Sequence, residues 1–159
     1  MSTEAFVKCA VEFRAWVEGP PGTEMEEAAS ARRHLAALYA AALKLPESPP
    51  TNSRELPRER DGMSRFHRFG ALPINYYSAA DPLVVPATEL LVGDLADDLS
   101  DVWSAVRRGL ELYEAGLVPE AGWSWRFDFE THWGTHAANA LAALHAWHCR
   151  YGRGPMPRA

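Results

Sequence analysis

The chain has 159 residues, a net charge of -5, 47% hydrophobic and 23% charged residues, which fits one globular domain with a full core. The negative balance offers no basic field for nucleic acid. No apolar run nears the roughly 20 residues of a membrane span, and the N-terminus lacks the basic and apolar regions of a signal peptide.

Cys9 and Cys149 stand far apart with no Cys-x-x-Cys motif, which argues against a zinc knuckle or thioredoxin-like site. Two free, mostly buried thiols in a reducing cytoplasm are expected.

In chain order, residues 4–18 read as a first helix, with Phe6, Cys9, Ala10, Phe13, Trp16 and Val17 at three- and four-residue steps. Gly19-Pro20-Pro21-Gly22 ends it, and Thr23 with Glu26 forms a capping box for a second helix running to about Lys44. The Pro-rich, charged stretch 46–64 reads as a surface loop. Residues 65–83 carry Phe66, Phe69, Leu72, Ile74, Tyr76 and Tyr77, but Gly70, Pro73 and Pro82 interrupt any long helix. A short helix and irregular chain over one end of the bundle is expected there. A third helix should begin after Pro86 and end near Ala115. A fourth should run from about Pro119, a residue suited to a first turn, to Tyr151, leaving 152–159 as a frayed tail. No strand is evident. The expected fold class is all-α, a single domain of four main helices plus a minor one.

Two polar segments stand out. On the third predicted helix, with Leu95 facing the core, Asp98 lies about 60° round, Asp94 about 100° and Asp101 about 120°. Three carboxylates thus climb one flank, and like charges at this spacing cost a few tenths of a kcal/mol per pair. Three things could offset that: arginine partners such as Arg126, Arg107 or Arg108, a divalent metal shared with histidine, or a basic docking partner. On the fourth helix, His132 and His136 are four apart and can point the same way, which is chelating geometry. The zinc-protease signature would need glutamate at position 133, which is Trp133. A carboxylate ligand must come from elsewhere, most plausibly Asp94, Asp98 or Asp101. The competing structural reading has each histidine hydrogen-bonded to an aspartate of the third helix. Arg126 and Glu130 can pair on another face. Gly134, in mid-helix, costs about 1 kcal/mol relative to alanine and points to a close approach by a neighbour.

The segments Leu95-Ala96-Asp97-Asp98-Leu99-Ser100-Asp101-Val102-Trp103, Trp123-Ser124-Trp125-Arg126-Phe127, His132-Trp133-Gly134-Thr135-His136 and Ala140-Leu141-Ala142-Ala143-Leu144-His145 resemble a bacterial family catalogued as domain of unknown function 5063. The stretch Leu38 to Pro46 and Asp81-Pro82 fit its pattern too, so the resemblance spans most of the chain. It implies a small helical protein with no assigned activity and no catalytic residue to carry over.

Two functions follow as expectations. The first is a non-catalytic cytoplasmic module that binds another protein, in an accessory or immunity-type role. It has no cofactor, and Asp94, Asp98, Asp101, Arg126, Trp133 and His136 organise the last two helices. The second is a metal-dependent hydrolase with one divalent ion held by His132, His136 and Asp98, whose bound water attacks the substrate.

Overall fold

The computed structural model describes residues 2–47 and 67–152. The expected 46–64 loop, beyond Glu47, and the tail beyond Gly152 lie outside the described residues.

Helix α1 spans Ser2–Glu18 and α2 spans Glu24–Ala42. The Thr23–Glu26 capping box forms as expected. The Thr23 amide donates to Glu26 at 2.9 Å, and the Glu26 amide donates back to the Thr23 hydroxyl at 3.4 Å. A short 3-10 helix follows at His67–Ala71. Two strands then pair antiparallel, β1 (Tyr76–Ala79) with β2 (Leu91–Asp94), in the register Tyr77 opposite Gly93. Helix α3 spans Leu95–Glu114 and α4 spans Val118–Asp128, with Pro119 in its first turn. A π turn at Phe129–Trp133 runs straight into α5 (Gly134–Trp147), and a second π turn at His148–Gly152 is the last described element.

The four-helix plan therefore stands. Helix α1 packs on α2, α2 on α5, α5 on α3 and α3 back on α1, while α4 lies along α3. Phe6, Phe13, Leu35, Leu38, Leu95, Leu99, Leu110, Trp125, Trp133 and Leu144 fill the centre.

Three expectations change. A ribbon exists where no strand was expected, and α3 begins at Leu95 rather than after Pro86. The cause is local. Asp94 has extended backbone (φ -115, ψ 111), and its carboxylate accepts from the Ala96 and Asp97 amides at 3.0 and 3.2 Å. It is the N-cap, so the helix cannot continue upstream. Gly93 is required by the ribbon, since a Cβ there would lie 2.2 Å from the Tyr77 ring. Of the two free cysteines, Cys9 is half-buried and Cys149 is exposed, so the expectation of two buried thiols holds for neither fully.

Candidate functional site

The polar cluster is built from three elements. Strand β1 presents Tyr77, α3 presents Asp98 and Asp101, and the π turn and α5 present His132 and His136. Asp98 is 5% exposed and sits one turn into α3, beside the core residue Leu99. The Tyr77 hydroxyl donates to one of its oxygens. The other lies 2.7 Å from His136 Nδ1. A carboxylate only accepts, so Nδ1 carries the proton and Nε2 keeps its lone pair. Burial, then this hydrogen bond to Asp98, pushes the Tyr77 phenol far above its ordinary value. The Asp98 hydrogen bond raises His136, outweighing the opposing effect of burial. Desolvation and then the neighbouring Asp101 and Asp94 raise Asp97, a sign of crowded carboxylates.

Asp101 stands next to this clamp. Its Oδ2 lies 3.5 Å from His136 Nε2 and 3.7 Å from His132 Nε2, and the two imidazole centroids are 4.8 Å apart. His132 is 53% exposed on its side chain. The three ligand-type atoms lie within 4.8 Å of one another.

The sequence match decides the family. The profile of domain of unknown function 5063 covers residues 1–150. The chain belongs to the DUF5063 family. The crystal structure of protein BF1032 from Bacteroides fragilis is similar to this DUF5063 chain with a TM-score of 0.74. The likeness covers 100% of this chain and 97% of BF1032 at 18% identity, and it speaks to the fold alone. No curated protein matches the chain.

Within this DUF5063 fold the remaining expected site residues go elsewhere. Asp94 is spent as the α3 cap rather than on the flank. Arg126 does not meet the aspartates. Its guanidinium donates to the Ala42 and Leu43 carbonyls at 3.3 and 3.2 Å, closing the end of α2, and pairs with Glu130 at 2.6 Å and Glu47 at 3.1 Å. Arg108 pairs with Asp128, and Arg107 lies 3.5 Å from Glu111 and over the Trp103 ring. So the arginine partners expected for the acidic flank are engaged in other contacts, and histidines face it instead. Trp133 is fully buried, 4.9 Å from the Phe129 ring and 6.3 Å from Phe6, as a core residue. The neighbour that needs Gly134 is Phe129, whose carbonyl oxygen would lie 2.3 Å from an added Cβ. As for the expected metal set, Asp98 has both oxygens engaged by Tyr77 and His136, and Asp101 takes the open place beside the two imidazoles. Tyr77 escaped sequence reasoning. Its only signal was an aromatic pair between Pro73 and Pro82.

Asp98→Ala should destabilise the fold by about 1–3 kcal/mol, because it strands the Tyr77 hydroxyl and the His136 N–H together. Asp97→Ala, at an exposed and crowded carboxylate, should change stability by no more than a few tenths of a kcal/mol. Urea unfolding of both variants checks the pair, and equal midpoints would remove Asp98 from the supports of the fold.

Proposed function

We propose that this DUF5063 chain is a protein-interaction module whose docking element is the arm between β1 and β2. The observation that carries the reading is the exposure of residues 80–92. Leu83 is 91% exposed and Val85 89%, with Leu90, Leu91 and Val92 also open. Contiguous large apolar side chains in water mark an interaction surface, because leaving each one exposed forgoes about 1.5–3 kcal/mol of burial. Asp81 and Glu89 are the only charges in the stretch, so the matching partner surface is apolar.

The arm has a firm base. Asp81 turns the chain, its carboxylate accepting from the Leu83 amide at 2.9 Å and its carbonyl from Val84 at 3.2 Å. Tyr77 pins β1 to Asp98, and the Leu95 amide donates to the Asn75 carbonyl at 2.8 Å. In this reading the Tyr77–Asp98–His136 cluster is the clamp that presents the arm, which accounts for a buried polar network without a reaction. The hydrolase alternative gains no substrate cleft from the groove of about 690 Å3 along α2 and α5. Arg32, Arg33, Tyr39, Leu141 and His145 line it, and Asp98, Asp101, His132 and His136 do not.

Leu83, Val85 and Leu90 replaced together by serine test the proposal. The thermal midpoint should hold within about 2 °C, as for other surface changes. Proteins captured from the source cell's lysate by the wild type should be absent from the triple variant. Identical capture by both, or a midpoint lower by many degrees, would sink the idea.

A further inference from the structure

We propose that Asp101, His132 and His136 bind one divalent first-row transition ion of the zinc class beside the clamp. The spacing is the first argument. At 3.5 and 3.7 Å the Asp101–imidazole separations are too long for good hydrogen bonds. They match the edge of a tetrahedron around an ion with bonds of about 2.1 Å, which is roughly 3.4 Å. The His132–His136 edge, within 4.8 Å, closes with a small side-chain rotation, and His132 is free enough to make it.

The second argument is the partner behind His136. Metal-bound imidazoles almost always give their other N–H to a carboxylate or carbonyl, which fixes the tautomer and strengthens the ligand. Asp98 does this for His136 Nδ1 at 2.7 Å, and Tyr77 in turn holds Asp98. That leaves the lone pair on Nε2, the nitrogen that lies 3.5 Å from Asp101 Oδ2. Two imidazoles and one carboxylate suit zinc, cobalt, nickel or iron(II) over calcium or magnesium. Three protein ligands leave a fourth position for water. A cation here also relieves the Asp97–Asp101 repulsion along α3.

The test uses untagged full-length protein stripped with chelator and titrated with Co2+. The expected result is one Co2+ per chain with tetrahedral visible absorption, displaced by Zn2+, and a thermal midpoint raised by Zn2+. His132→Ala alters an exposed side chain, so its metal-free midpoint should match the wild type while the Co2+ spectrum and the Zn2+ shift are lost. Asp101→Asn should bind more weakly still than Asp98→Asn, whose affinity should fall about 10–100-fold. No Co2+ spectrum and no Zn2+ shift in the wild type overturns the proposal. So does His132→Ala binding as tightly as the parent.

Discussion

Gly109→Ala should lower stability by about 2–4 kcal/mol, although alanine is the better helix former by about 1 kcal/mol. Gly109 lies inside α3, where the indole of Trp125 rests on its backbone. An added Cβ would sit 2.0 Å from Trp125 Nε1 and 2.2 Å from Cε2. The ring cannot give way cheaply. Trp125 is fully buried, lies 4.7 Å from Phe6, and its N–H donates to the Val106 carbonyl at 3.1 Å. Overpacking of this kind costs about 1–3 kcal/mol or more, and a stranded buried donor adds about 1–3 kcal/mol. For a chain of this size the net loss lowers the melting midpoint by about 5–15 °C. Gly70→Ala is the control, since nothing lies within 4 Å of its added Cβ. A Gly109→Ala protein melting with the Gly70→Ala protein would show that α3 and α4 can separate freely at this crossing.

Arg68→Ala is expected to cost about 3–5 kcal/mol, the usual loss when one partner of a buried ion pair is removed. Glu27, buried on α2, accepts from Arg68 at 2.8 Å, from the Gly22 amide at 2.7 Å and from Trp16 Nε1 at 3.1 Å. Arg68 also donates to the Trp16 and Gly19 carbonyls at 3.0 and 3.2 Å. Burial alone would raise the Glu27 carboxyl. Arg68 and the two N–H donors outweigh it and hold the group below its ordinary 4.5. A depressed carboxyl contributes stability that is complete above the unfolded value and is lost as pH falls through the folded one. The gap between wild type and Glu27→Gln should therefore be widest near neutrality and shrink below about pH 4. Denaturation midpoints across pH 3–7 check this, and a constant gap would exclude Glu27 titration as its source.

Much of the helical plan was open to reading because long amphipathic segments repeat their signal many times. The stripes through Phe6–Val17 and Leu95–Leu110, the Thr23–Glu26 box and the Arg126–Glu130 pair all rest on neighbours within one helix. The ribbon was hidden for the opposite reason. Four-residue strands carry little periodicity, and Leu91 falls in phase with Leu95, so the α3 stripe runs on through β2. The aspartate three residues before Asp97, at position 94, was the available clue to a cap. The π turn at Phe129–Trp133 also defeats a helical wheel. Its bonds reach one residue farther than α bonds, so residues beyond it lag by about 100°. Glu27 with Arg68, and Tyr77 with Asp98, join elements distant in sequence, and no local pattern announces such pairs.

Neither α1 nor α2 has a basic residue in its last turn. The cations that close their terminal carbonyls arrive from far along the chain. Arg68 reaches Trp16 across 52 positions and Arg126 reaches Ala42 across 84. Each helix is thus finished by a side chain that arrives only when the later segment has docked. An excised first half would keep its Thr23 cap but fray at both C-termini. The two arginines couple the early helices to the late ones, so the ends of α1 and α2 depend on segments that lie far along the chain.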